Sequence, residues 1–318
     1  MVNAPLDVLV VNYNTAGLLQ PMFNALRQPD STDRARYLVV DNASVDNSLE
    51  CLATLCPGAL LLANESNVGF GRANNQLVEH LQGKYALLLN TDAFVAADTL
   101  SKTLDYMEAH PECGILGVRL EGRDGDLQPS CRYFPTPLNV FLSRAGLERF
   151  FPWVKRVDDM QWDHASVREC DWVPGCYYLI RREVIDTVGL FDPRYFLYYE
   201  EVDHCKRVKQ AGWKVVFYPH TTVVHIGGES AKSVDELNVA SRQIPRLQIE
   251  SELLYFRKHH GVAGLAWHMA LVCLGDLILA LKALLKRRGR AAIGACWEHA
   301  RVTWALLRDT KFATQPTR

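Results

Sequence analysis

No CxxC pair occurs in the chain, although it carries nine cysteines. Cys51 and Cys56, and Cys170 and Cys176, stand too isolated to form a metal knuckle or a disulfide framework, so the reduced thiols of a cytosolic protein are expected. No GxGxxG follows the first apolar run, which removes the main support for a dinucleotide site. The first strand-to-helix turn, "NYNTAG", has no Lys or Arg. That argues against a sugar-nucleotide pyrophosphorylase, which needs a basic, glycine-rich turn there for a triphosphate. There is no internal repeat and no low-complexity tract. The opening "MVNAPLDVLVV" has no basic segment and no cleavage site, so no signal peptide is expected.

What is present is an ordinary globular composition, 48% hydrophobic and 22% charged over 318 residues. This allows one large α/β domain with an appendage, or two domains. Four apolar runs open the chain: 7–14, 36–44, 59–66 and 85–93. Each is continuous rather than alternating, as strands covered on both faces are. Helical stretches at about 16–28, 46–56 and 70–82 separate them, which predicts right-handed βαβ units and a parallel sheet. Further on, 172–181 reads as a strand, 200–212 as a helix, and "WKVVFYP" and "TTVVHIGG" as two short strands.

Each of the four runs ends in polar residues: Asn12 and Asn14, Asp41 and Asn42, Asn64 to Asn67, and Asn90 to Asp92. Any one such tip suits a turn or a helix cap. Four in series mark a ligand site, because in open α/β sheets ligands bind beyond the carboxyl ends of the strands.

The ordered set "VVNYN", "VDNASVDNS", "NVGFGRANN", "LLLNTD", "WVPGCYYLIRR" and "FLYYEEVDHCKRVKQAG" resembles the inverting family 2 glycosyltransferases of GT-A fold, in particular bacterial rhamnosyltransferase-type enzymes. The likeness covers residues 6 to about 230. It implies an α/β GT-A nucleotide-sugar-binding fold, a Rossmann-like, mixed but mainly parallel sheet. It divides the chain into a catalytic domain at 1–260, with a donor-nucleotide half at 1–92 and an acceptor half at 93–260, and a C-terminal helical region at 261–318. The implied donor is a nucleotide diphosphate sugar, dTDP-rhamnose before a UDP-sugar. The implied acceptor is a glycan or lipid-linked glycan of cell-surface polysaccharide synthesis.

Residue by residue, Asp41 matches the carboxylate that accepts the pyrimidine N3–H; Asn12 and Tyr13 at the neighbouring tip are expected to wall the base, with Asn14 and Asn42 beside them. Asp46 either contacts the ribose or caps the following helix. Asn67, Gly69, Phe70 and Arg72 belong to a glycine turn before a helix start, a setting that attracts phosphates. Asp92 aligns with the last Asp of the family's DxD motif, with Asn90 in place of the first and Thr91 between. Departure of a nucleoside diphosphate gathers negative charge that a divalent cation offsets. Asp92, with His225 in "VVHIGG" as a possible second ligand, is therefore the expected holder of Mg2+ or Mn2+. The degenerate motif leaves a catalytically inactive sugar-nucleotide-binding scaffold as the rival reading.

An inverting transfer needs a general base for the acceptor hydroxyl. Glu201 is the expected base, with Asp203 as runner-up and Glu200 beside them. The plainer explanation for all three acids is a helix N-terminus, which favours negative charge. Trp172, Pro174 and Gly175 resemble the family's acceptor-side loop, where a Trp can stack on a sugar face.

From residue 261 onward nine Lys/Arg face three Asp/Glu, which leaves about −7 on the rest of a chain of net charge −1. An acidic partner is expected there, and an anionic membrane surface fits better than nucleic acid. On a helix, His268, Asp276, Lys282 and Lys286 fall within about 120° of one another. The unbroken apolar stretch Leu277 to Leu281 is far short of the ~20 residues of a span. Two interfacial amphipathic helices are expected, 261–290 and 291–308. The second carries Ile293, Trp297, Ala300, Trp304 and Leu307 on one stripe, with Arg301 and Arg308 elsewhere. Lys282, Lys286, Arg287, Arg288 and Arg290 would meet lipid phosphates, giving a cytoplasmic protein peripheral to the inner face of the membrane.

Overall fold

The computed structural model describes residues 6–27, 35–227, 237–286 and 290–318, with side chains undescribed at 237–244 and 290. Its contacts divide into two compact units: Met1–Arg132 with Met160–Pro193 and Glu200–Ala240, and Tyr133–Asp159 with Arg194–Tyr199 and Ser241–Arg318.

The first unit opens with β1 (Leu6–Asn12), α1 (Ala16–Leu26), β2 (Ala35–Asp41), α2 (Ser48–Leu55), β3 (Leu60–Ala63), α3 (Phe70–Gln76) and β4 (Tyr85–Leu89). It continues with β5 (Ala93–Val95), α4 (Thr99–Ala109), β6 (Cys113–Glu121) and β7 (Leu127–Gln128). After the first segment of the other unit come β8 (Arg168–Glu169), β9 (Tyr177–Arg181), α6 (Arg182–Val188), α7 (Glu200–Gln210) and β10 (Lys214–His225). Among the described residues these strands form one sheet in the order β3-β2-β1-β4-β9-β6-β10-β5, with β7 on β6 and β8 on β10. β1 to β4 pair in parallel. β9 runs antiparallel to both β4 and β6. The continuous runs in β1, β4 and β9 are buried on both faces, as a sheet covered on both sides requires. The core gathers their side chains with Leu19, Met22 and Phe23 of α1 and Leu104 and Met107 of α4.

Three sequence expectations shift. The strand expected at 172–181 begins at Tyr177, because Pro174 has no N–H for a ladder and the chain turns at Gly175. The helix expected at 70–82 ends at Gln76 and passes into a 3-10 turn at Val78–His80. The two strands expected at "WKVVFYP" and "TTVVHIGG" are one strand, β10, whose register on β6 shifts between Tyr218 and Thr222, around Pro219. A bulge lets the ladder step over the proline.

The second unit holds α5 (Pro137–Ala145), most of α8 (Leu237–Leu285) and α9 (Arg290–Asp309). α5 opens with a capping box: Thr136 and Asn139 each accept the other's backbone N–H through their side chains. α8 is broken at Gly261, whose φ of 68° and ψ of −166° suit glycine alone. The segment Pro245–Leu285 is long and apolar enough to cross a membrane by length and composition, with a mean hydropathy of 1.9 in its richest window.

The orientation of this segment reverses the sequence expectation. His268 Nε2 lies 2.9 Å from Glu252. Asp276 pairs with Arg144 of α5 and lies 2.9 Å from His299 Nδ1 of α9. Lys282 donates to the Ala145 carbonyl. Three of the four polar residues thus face protein, and of the four only Lys286 is exposed. On α9, Ile293, Trp297 and Trp304 are exposed while Leu307 is buried, and Arg301 and Arg308 are exposed too. Arg287 and Arg288, and the side chain of Arg290, lie outside the described residues.

Candidate active site

The polar strand tips meet because β1, β2, β3 and β4 are parallel neighbours. Asp41 ends β2, is buried, and accepts from Asn12 Nδ2 at 2.7 Å, Ser44 Oγ at 2.6 Å and Ser44 N at 3.0 Å. A carboxylate has about four acceptor positions, so one remains for a ligand N–H. Asn12 is fully buried, and its amide oxygen accepts from Thr15 Oγ1 at 2.7 Å. The Thr15 hydroxyl also lies 2.9 Å from Thr91 Oγ1. Asn12 therefore orients Asp41 rather than walling a base, while Tyr13 is half-exposed beside it. The tips are strained: Asn14 (φ 52°) and Ala43 (φ 67°) are left-handed, a conformation that costs non-glycine residues on the order of 1–3 kcal/mol and clusters at functional sites. Ser44 Oγ accepts from the Asn14 N–H, and Asn14 Oδ1 accepts from the Val45 N–H.

Of the two roles open to Asp46, the cap is taken. Its carboxylate accepts from Ala16 N at the start of α1 and from Ser48 in α2. Burial pushes its pKa up, but these hydrogen bonds outweigh burial and leave it below the ordinary value. Asn42 ties down the next loop by donating to Asn67 Oδ1 at 2.8 Å and accepting from Val68 N at 3.0 Å. Asn67 Oδ1 in turn accepts from Gly69 N, and Gly69 turns into α3 with a φ of 90°. Arg72 donates to the Pro193 carbonyl at 2.7 Å.

Beyond β4 the chain turns at Asn90–Asp92 and enters β5, which pairs antiparallel with the end of β10, Ala93 opposite His225. The ladder sets Asp92 Oδ1 3.6 Å from His225 Nε2. Gln128 fixes the imidazole: its Nε2 donates to the His225 carbonyl at 2.8 Å, which turns its Oε1 to Nδ1 at 3.0 Å. Because Oε1 only accepts, Nδ1 carries the proton and the Nε2 lone pair faces Asp92. Burial holds the His225 pKa below its ordinary value, with Asp92 opposing. Two acceptors facing each other at this distance repel unless a cation lies between them. Asn90 Oδ1 is also buried without a hydrogen-bond partner. The donor set, one carboxylate and one imidazole, therefore fits a divalent ion. Among the described residues no three His, Cys, Asp or Glu side chains gather around one point.

The loop before β9 lies against this turn, the Cys176 carbonyl accepting from Asn90 N at 3.1 Å. A Cβ on Gly175 would stand 3.8 Å from Phe70 Cε1 and 4.0 Å from Glu201 Cβ. Gly175 thus sits between the start of α3 and the start of α7. Burial pushes the Cys176 thiol up, and the carboxylates of Asp92 and Glu201 push the same way. Cys176 therefore feels both candidate carboxylates.

Glu200 and Glu201 open α7. Each has a carboxylate oxygen shut off from solvent with no hydrogen-bond partner. Burial raises both pKa values; Glu201 raises Glu200 further, and Arg132 partly opposes the rise at Glu201. A helix N-terminus alone would hold such acids charged and solvated. Asp203 differs: it is 0% exposed, and Arg207 Nε donates to it at 2.9 Å while the same guanidinium reaches the carbonyls of Val188 and Leu190. That carboxylate is committed to the fold. Asp203→Ala strands the partly buried Arg207, and breaking such a pair costs about 3 kcal/mol or more. Chemical denaturation should show that loss; unchanged stability would return Asp203 to the list of bases.

Trp172 does not offer a free ring. It is 5% exposed, it is bridged to Arg132 through the backbone, and the Arg132 guanidinium lies 4.0 Å over its centroid. Thr15, Ser44, Gln128, Arg132 and Cys176 enter the site without having been singled out in the sequence. Thr15 and Ser44 lie within the polar tips, whereas nothing local marks Gln128.

Known proteins resemble this chain in sequence and in fold. The Glycosyl transferase family 2 model matches residues 7–188. The N-acetylglucosaminyl-diphospho-decaprenol L-rhamnosyltransferase of Mycobacterium tuberculosis is 28% identical over 239 residues, 69% of this chain and 75% of its own. Rhamnosyltransferase WbbL of Escherichia coli is 25% identical over 173 residues, 52% of this chain and 63% of its own. Among solved structures, the mannosyltransferase PcManGT of Pyrobaculum calidifontis with GDP-Man and Mn2+ superposes with a TM-score of 0.56 at 15% identity, over 98% of this chain and 88% of that one. The fold is that of GT-A glycosyltransferases, and the strand tips, the Asp92 turn and the Gly175 loop all lie within the matched span. The chain belongs to glycosyl transferase family 2.

Proposed function

We propose that the protein is an inverting, divalent-metal-dependent rhamnosyltransferase that moves rhamnose from dTDP-rhamnose to a lipid-linked glycan in cell-surface polysaccharide synthesis, working at the inner face of the membrane. The observation that carries the reading is that the Asn90–Asp92 turn, with His225 beside it, and Glu201 both lie against one short loop, Gly175–Cys176. One arm suits a leaving diphosphate and the other an attacking hydroxyl.

In this mechanism the free acceptor position of Asp41 takes the pyrimidine N3–H. The α3 start and Arg72 face the phosphates. Asp92 and His225 would hold Mg2+ or Mn2+, whose charge would offset that of the departing diphosphate. Glu201 accepts the proton of the acceptor hydroxyl as its oxygen attacks the anomeric carbon in line, and Arg132 tempers the rise in its pKa. Pro174 and Gly175 border the acceptor. Residues 1–260 form the catalytic domain in this reading, with donor contacts in 1–92 and acceptor contacts in 93–260, and 261–318 associates with the membrane. Two relatives named as rhamnosyltransferases support the sugar, and the decaprenol in one name supports a lipid-linked acceptor.

The test is a thermal-shift screen of dTDP-rhamnose, UDP-glucose and UDP-N-acetylglucosamine with and without Mn2+, followed by nucleoside diphosphate release. Stabilisation by a UDP-sugar alone would replace the donor; binding without release in the presence of lipid-linked acceptor would favour the scaffold.

Gln128→Leu should weaken metal binding by about tenfold, the usual size for losing the group that orients a ligating imidazole. Titration calorimetry with Mn2+ and nucleoside diphosphate reads this directly; unchanged affinity would free His225 from the site.

A further inference from the structure

Polarity is inverted along residues 262–285. On a helical wheel the exposed Trp267, Leu274, Leu277, Leu281, Leu284 and Leu285 fall within an arc of about 100°. The opposite side carries His268, Asp276 and Lys282, each with a partner inside the second unit. Trp267 and Leu277 are both 56% exposed, and Trp297 on α9 is 76% exposed. A helix that turns its ions to protein and its leucines outward has been patterned for a non-aqueous neighbour.

We propose that this arc is a membrane anchor that lies in the plane of the bilayer, sunk to the acyl–headgroup boundary, and that it holds through apolar burial rather than through lipid charge. This deepens the membrane location proposed above and rests on it. A spanning arrangement does not suit the return helix α9, which exposes Glu298, Arg301 and Arg308 along its length. Insertion of one face does suit the pair. Trp267, Trp297 and Trp304 have rings with an apolar body and a polar edge, which favour that depth. Exposed Lys286, Arg301 and Arg308 would stay at headgroup level. Lipid is favoured over a second copy of this chain because the segment is apolar enough to span a membrane and a 28%-identical relative takes its acceptor on decaprenol. The anchor would hold the catalytic domain where such a substrate resides.

The test is flotation of the full-length protein with phosphatidylcholine vesicles and with phosphatidylcholine–phosphatidylglycerol vesicles, at low and high salt. The expected result is flotation with both, persisting in high salt, and at least a tenfold lower bound-to-free ratio for the Leu274→Gln, Leu277→Gln, Leu281→Gln triple variant. Its melting temperature and nucleotide binding should be unchanged, because these side chains are exposed. Should the triple variant melt early, the single variants Leu277→Gln and Leu281→Gln carry the test. Flotation on anionic vesicles alone, reversed by salt, would overturn the apolar anchor while leaving the membrane location standing. No flotation on either would overturn both. A variant that turns from dimer to monomer and floats as before would assign the face to a second copy instead.

Discussion

Asp92→Asn is expected to leave a folded protein whose metal-dependent turnover falls by about 10²-fold or more, the size seen when one fixed electrostatic stabiliser of a developing charge is removed. The reasoning begins with the Asp92–His225 pair, held 3.6 Å apart by the β5–β10 ladder with both facing atoms acceptors. In Asp92→Asn the amide nitrogen can point at the Nε2 lone pair and donate. The repulsion that a cation would relieve is then gone, and so is half of the protein's hold on the ion. The variant should melt at or above the wild-type temperature while its response to Mn2+ disappears. An active variant with an unchanged metal requirement would remove Asp92 from the mechanism. A variant that fails to fold would make the carboxylate a structural group.

Glu201→Gln is expected to lower kcat by ~10²-fold or more, as loss of a general base does, with donor affinity nearly unchanged. Burial lifts the Glu201 pKa above that of an ordinary glutamate, so the acid limb of kcat/KM should lie above the usual carboxylate range and vanish in the variant. The stability consequence has the opposite sign. A carboxyl whose folded pKa is raised contributes stability that is complete below its unfolded pKa and is lost as pH rises through the folded value. At neutral pH both Glu200 and Glu201 therefore work against folding, and each Gln variant should melt slightly higher there than wild type. A slow Glu201→Gln enzyme that is also more stable fits a catalytic group held at a cost. If Glu201→Gln is benign while Glu200→Gln is dead, the proton goes to Glu200.

The cluster of polar strand tips was largely legible in the sequence because its signals are local. A parallel strand ends where its apolar run ends, so Asn12, Asp41 and Asp92 could be placed at one edge from their positions alone. What depends on pairing between distant segments was not legible. The sequence names Asp92 and His225, but only the ladder brings them together, and Gln128 reaches His225 through the side of a two-residue strand. Trp172 reads as a sugar platform until Arg132 is found covering it. Asp203 resembles its neighbours until α7 is built and its carboxylate meets Arg207 one turn later. The C-terminal helix teaches the same lesson most clearly. Periodicity divides a helix into two faces but does not say which one water sees, and here the polar face was the inner one.

The pairing of Ala93 with His225 joins segments roughly 130 residues apart, and β10 lies inside the sheet between β6 and β5 rather than at its edge. Contacts of such long sequence separation close late in folding, since their loop entropy is met before they form. During synthesis, a nascent chain that has emerged only to residue 188, where the family model ends, already carries all four polar strand tips. It lacks Glu201 and His225, and β5 still waits for its partner. In the reading proposed above Glu201 and His225 belong to α7 and β10, so activity would wait for the strand that fills the sheet between β6 and β5.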